Sequence, residues 1–196
     1  AIRLLRGHER AHCSMLVNAS IKNDVQRQLK NQLHLVLERI QQSVRVHAAL
    51  PPGQAVRDPE ISALHETWKT EFGEAAGFDW PEVQSRLLDS ASPVRTVLIN
   101  SKSKDALDYA ENATSGLNVI AIGGFALSRG LTLEGLMVSY FLRNSMMYDT
   151  LMQMGRWFGY RPGYDDLCRV WMPEAAQGWY EHIAEATEEL REELRV

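Results

Sequence analysis

The second half of the chain alternates between two patterns, and this alternation limits the folds open to it. Short apolar runs at residues 96–100, 118–122, 136–141 and 168–172 read as strands, each bounded by small or polar residues. Between and after them lie stretches with helical character at 105–113 and 148–158. A last helix places Trp179, Ile183, Ala186, Leu190 and Leu194 on one face. Strands too apolar to leave a face in water, separated by helices of about ten residues, predict a mostly parallel sheet covered on both sides.

The first half fits around the same sheet. Residues 14–18 form another apolar run ending in small polar residues. A long helical stripe follows through Val25, Leu29, Leu33, Leu37, Ile40 and Val44, stopped by Pro51-Pro52-Gly53. Shorter helices are predicted around Ile61, Leu64, His65 and Trp68, and from Pro81 through Val83, Leu87 and Leu88, with Pro93 as the closing residue. The segment 23–92 therefore reads as a helical insertion within a single α/β domain spanning 1–196. At 196 residues and 45% hydrophobic composition the chain can bury one core of that kind.

Charge and cysteine content narrow the function. A formal net charge of −4 offers no general basic surface for nucleic acid, so any DNA contact must come from a local patch. Cys13 and Cys168 make no disulfide framework, which points to a reduced, cytoplasmic protein, and no apolar run is long enough to cross a membrane. The first residues, Ala1 to Arg6, read as a helix already under way, as expected of a segment of a longer protein.

The residues richest in chemistry lie between Ile120 and Arg161. After the strand ending in Gly123-Gly124 comes Leu127-Ser128-Arg129-Gly130-Leu131-Thr132. The strand at 136–141 is followed by Gln153-Met154-Gly155-Arg156 and then Gly159-Tyr160-Arg161. Ligands of parallel sheets collect where loops leave the carboxyl ends of strands, and both arginine-bearing segments follow strands in this way. Arginine offers a planar, permanently charged fork suited to phosphate oxygens, and glycine beside it lets backbone approach closely. Neither a Gly-x-x-x-x-Gly-Lys-Ser/Thr loop nor an Asp-Glu-x-x box is present, so this pattern amounts to half of a nucleotide site.

Ser128-Arg129-Gly130-Leu131-Thr132 and Tyr148-x-x-x-x-Gln153-x-Gly155-Arg156 resemble motifs V and VI of superfamily-two helicases. Within that group the segments from Ile122 to Leu136 and from Tyr148 to Arg161 are similar to the Z-one (Z1) domain family, and residues 14–20 resemble its earlier strand motif. The family is a helicase-like C-terminal domain of prokaryotic restriction-associated proteins, often encoded beside a nuclease and a methyltransferase. The resemblance implies a RecA-like three-layer α/β/α fold acting as the second lobe of an ATP-driven motor. ATP with Mg2+ would then be bound mainly by a first RecA-like lobe outside this chain. It also implies double-stranded DNA, held by its phosphate backbone, as a partner, together with a separate nuclease subunit or domain.

By position, the resemblance assigns Arg156 to the terminal phosphate and Arg161 to a second finger. Ser128 and Thr132 fall near phosphate or ribose oxygens, and Arg129 and Gly130 on the loop coupling nucleotide to DNA. Gln153 and Gly155 complete the second motif. Two departures stand out: Arg161 follows Arg156 by five residues where helicases commonly space the pair by three, and Thr132 stands where they often carry Asp.

Simpler readings predict different surroundings for these residues. Arg156 and Arg161 could pair with Asp165, Asp166 or Glu174. Trp157, Phe158, Tyr160, Tyr164 and Trp171 are expected to pack around the last strand, and Met146, Met147, Met152 and Met154 to fill gaps. His8 and His12, at helical spacing, read as a solvated helix end rather than a metal site. Arg3, Arg6, His8 and Arg10 read as a solvated basic face, and Glu185, Glu188, Glu189, Glu192 and Glu193 as an acidic one. No compact carboxylate and lysine set suits a nuclease, and no metal site is expected in this chain. The alternative to a motor lobe is a non-catalytic module that binds DNA or docks a nuclease.

Overall fold

The computed structural model describes residues 1–18, 20, 22–100, 107–124, 133–141 and 162–194. Its frame is a five-stranded sheet in the order β2-β3-β1-β4-β5. The strands are β1 (Cys13–Asn18), β2 (Arg95–Ile99), β3 (Asn118–Gly123), β4 (Leu136–Phe141) and β5 (Arg169–Trp171), and every neighbouring pair is parallel. β1, first in sequence, takes the centre. Leu16 and Val17 within it are buried on opposite faces, as a central parallel strand requires. β5 is a three-residue edge strand, short enough to offer little to a stray pairing partner.

Helices cover both faces. Leu16, Ala121, Leu136 and Phe141 form one core, closed by Ile183 of the last helix, α7 (Glu174–Glu193), with Trp179 and Tyr180. Burial holds the Tyr180 phenol neutral, pushing it up to about 12. Met15 and Ile120, the alternate residues of β1 and β3, face the other way, toward the helical segment. That segment contains α2 (Asn23–His47), α3 (Pro52–Ala55), α4 (Pro59–Glu71), α5 (Trp80–Ser85) and α6 (Leu87–Ala91), with α1 (Ile2–Leu5) alongside. Val44, Ile61, Trp80, Val83 and Leu87 form its core. α2 packs along β2 and β3, and the Gln41 amide donates to the carbonyls of Ala91 and Val94. The result is the expected three-layer α/β/α arrangement with a parallel sheet, of RecA-like kind. No helix among the described residues is long and apolar enough to cross a membrane.

Several local expectations fail for identifiable reasons. Of the helix expected at 105–113, residues 101–106 lie outside the described residues and 109–115 form turns. Asp108 accepts the Glu111 N–H, and Asn112 donates to the Asp108 carbonyl. These side chains thus compete with the helical ladder. The helix expected from Pro81 breaks at Arg86 into α5 and α6. Trp171 is 47% exposed instead of anchoring a core. On α7 the buried stripe ends at Ile183, leaving Ala186, Leu190 and Leu194 exposed.

The basic start is not a solvated face either. Arg3 is buried, and Arg6 forks onto both carboxylate oxygens of Asp166 at 2.7 and 2.6 Å. This pair raises Arg6 and holds Asp166 below the usual carboxylate range. His12 lies off any helix. Its Nδ1 accepts the Leu117 N–H at 2.9 Å and its carbonyl accepts from Arg3, so it joins β1 to the approach to β3.

Asp58 ties the helical layer together. It caps α4 by accepting the N–H groups of Glu60 and Ile61, and it takes the Ser43 hydroxyl from α2. The Ser43 bond, reinforced by the capping amides, lowers its pKa. A carboxylate depressed on folding stabilises above its unfolded pKa near 4, and that stability is lost as pH falls through the folded value. Asp58→Ala is expected to cost about 1–2 kcal/mol at neutral pH by urea melt, and to flatten the loss of stability below about pH 4.

Candidate functional site at the carboxyl edge of the sheet

The carboxyl ends of the three middle strands are aligned: Asn18 pairs with Gly123 on one side and Phe141 on the other. The chain leaves β1 toward β2 on one side and leaves β4 toward β5 on the other, so the connections diverge between β1 and β4, the position at which parallel α/β sheets open a crevice. The segments leaving β3 and β4 are the two that carry the predicted arginines.

The predicted site residues Ser128, Arg129, Gly130, Thr132, Gln153, Gly155, Arg156 and Arg161 lie outside the described residues, as do Trp157, Phe158, Tyr160 and the four methionines. The chain on either side of them is described. Segment 125–132 is bounded by Gly124 at the carboxyl edge and by Leu133, which is buried in the α7-side core. Segment 142–161 starts from buried Phe141 and ends before Gly163, whose carbonyl accepts from Arg6. Asp166, one of the acids that could have neutralised Arg156 or Arg161, is already held by Arg6.

Gln26 in the first turn of α2 organises the described part of the edge. It is 2% exposed, while neighbouring Val25 is 42% exposed. Its amide donates to the Ser20 carbonyl at 2.6 Å, and its Oε1 accepts from Asn100 at 3.0 Å. One side chain thereby fixes the turn after β1 to the end of β2. Gly124 closes against the same group. A Cβ there would stand 2.5 Å from the Ser20 oxygen and 2.8 Å from the Gln26 amide nitrogen, so only glycine fits.

The sequence reading missed Gln26, although its signal was present. The stripe through Leu29, Leu33, Leu37, Ile40 and Val44 extends backward in phase to position 26, not 25. Gln26→Leu removes both bonds while keeping bulk. It is expected to cost about 1–3 kcal/mol, read by chemical denaturation.

The described edge is held in place by neutral amides that bond one another and the backbone, with Gly124 packed closely against them. Lys22, exposed before α2, is one positive charge suited to phosphate among the described residues of this edge. Among the described residues no group of three or more His, Cys, Asp or Glu could hold a metal ion. At the opposite, amino edge, Ser14 bonds the Tyr109 hydroxyl and the Glu134 carbonyl, and burial raises the Tyr109 pKa.

The parallel sheet, its two helical layers and the divergence of its connections between β1 and β4 define a RecA-like α/β domain, a class compatible with nucleotide-driven motors. Within that class the chain belongs to the Z1 domain family, whose model matches residues 1–196. No curated protein and no solved structure gave a match.

Proposed function

We propose that this domain is the second RecA-like lobe of an ATP-dependent, DNA-acting motor in a restriction system. It would supply one wall of an ATP site whose phosphate loop and Mg2+-binding acids belong to a first lobe. The observation that carries this reading is the alignment of Asn18, Gly123 and Phe141. The segments bearing Arg129 and Arg156 depart from strand ends on either side of β1, along one edge. Bound ATP would bring the scissile phosphoanhydride. Arg156, and Arg161 beside it, would hold the charge that spreads over the transferring phosphoryl group.

In this reading domain closure over the nucleotide and reopening shift the two lobes along the DNA backbone. The DNA contacts are to phosphate, so they are indifferent to sequence and sensitive to salt. A nuclease that cuts the DNA is a separate subunit or domain, and the protein works in the cytoplasm.

The test is ATP hydrolysis by the protein joined to its first lobe, with and without duplex DNA. Hydrolysis stimulated by duplexes of unrelated sequence supports the motor. Binding affinity should fall log-linearly with salt, with a slope of roughly −0.9 per phosphate contacted. DNA binding or nuclease docking with no ATP dependence would replace the motor with a passive docking module.

A further inference from the structure

We infer that the domain carries a second ligand site, remote from the carboxyl edge, that binds a small apolar carboxylate. A cavity of about 590 Å3 lies between the sheet and the helical layer. Met15, Ile120 and Val138 form its floor, and Leu64, Trp68 and Trp80 lie opposite. This volume falls in the range of small-molecule sites, which are mostly apolar with a few converging polar groups.

Polar groups line it as well. Four residues of the lining each have a buried polar atom with no hydrogen-bond partner among the described residues: Arg3 Nε, His8 Nδ1, Trp68 Nε1 and Trp80 Nε1. Three of these atoms are N–H groups that can only donate. Arg3 is 8% exposed and Trp80 is 5% exposed, so neither reaches solvent freely.

Arg3 decides the charge of the ligand. Its Nη1 donates to the His12 carbonyl at 2.8 Å, and its guanidinium lies 4.2 Å from the centre of the Tyr164 ring. No carboxylate lies within ion-pair distance of it among the described residues. The acids lining the cavity, Glu9 and Asp89, are exposed and flank Arg86, at 3.8 and 3.2 Å. A buried guanidinium that meets a ring face but no carboxylate among the described residues is costly unless an anion joins it. A buried cation beside an apolar floor selects a carboxylate on a hydrocarbon body. A cation or a plain hydrocarbon would leave that charge unbalanced.

The experiment uses the full chain with decanoate, decan-1-ol and decylamine as probes, read by tryptophan fluorescence, calorimetry and thermal melting. Decanoate is expected to bind, raise the melting temperature and shift the emission of Trp68 and Trp80. The alcohol and the amine should bind about tenfold more weakly or not at all. Arg3→Met should erase that preference, and Val138→Phe should block the cavity and abolish binding. Trp68→Phe replaces the indole of the cavity wall with a smaller aromatic ring, so it should weaken decanoate even if Arg3→Met fails to fold. Absence of decanoate binding, as from a cavity that takes only water, overturns the inference. So does equal binding of all three probes, or binding untouched by Val138→Phe. Each of these results is independent of ATP hydrolysis.

Discussion

Alanine at Arg156 is expected to lower ATP hydrolysis by the two-lobed protein about a thousandfold while leaving duplex binding within about twofold of the parent. A thousandfold is about 4 kcal/mol of transition-state stabilisation, the size of an arginine that meets charge only as the phosphoryl group transfers. Arg156→Lys keeps the charge but loses the planar fork, so it should recover only part of the rate. Arg161→Ala is expected to fall in the same direction. The five-residue spacing makes the comparison informative, because it asks whether one arginine or both reach the phosphates. Steady-state hydrolysis and a DNA-binding titration on the same preparations separate the outcomes. If Arg156→Ala hydrolyses ATP at the parent rate, the motor reading fails and the passive module takes its place.

The parts legible in the sequence were those set by local physics. Apolar runs such as 118–122 and 136–141 admit little besides buried parallel strands, and they appear as β3 and β4. The stripe from Leu29 to Val44 and the Pro51-Pro52-Gly53 stop bracket α2 closely. Features decided by distant contacts were not legible. Nothing local places β1 at the centre of the sheet; that follows from the crossover carrying the chain from β3 past β1 to β4. Arg3 and Arg6 read as a solvated basic run because their partners, Tyr164 and Asp166, lie far along the chain. The turns at 109–115 were hidden because helical spacing of apolar residues outweighed the competing Asp108 and Asn112 side chains. For the candidate site, sequence supplied the arginines and the fold supplied the shared edge from which their segments depart.

The stability change with the largest expected effect lies at the other end of β4. Gly135 has φ +64°, and an added Cβ would come within 1.7 Å of the His12 carbonyl oxygen and 2.4 Å of its carbon. Both obstacles are backbone, so no rotamer change relieves them. The Gly135 carbonyl also accepts the Ser14 N–H at 2.9 Å, the bond that starts the β1–β4 pairing. Gly135→Ala must therefore either strain this backbone or move β4 relative to β1, at a cost on the order of 4 kcal/mol. Gly53→Ala is the matched control. It sits in α3 with open space around its Cβ position, and a change within about 1 kcal/mol is expected there. Urea melts of both variants against the parent decide the matter. The result bears on function as well as stability, because the pairing begun at Ser14 continues through the register shift to Asn18 and Phe141. If Gly135→Ala melts with the parent, His12 and Gly135 do not meet as described. The alignment of strand ends on which the shared arginine edge depends would lose its anchor.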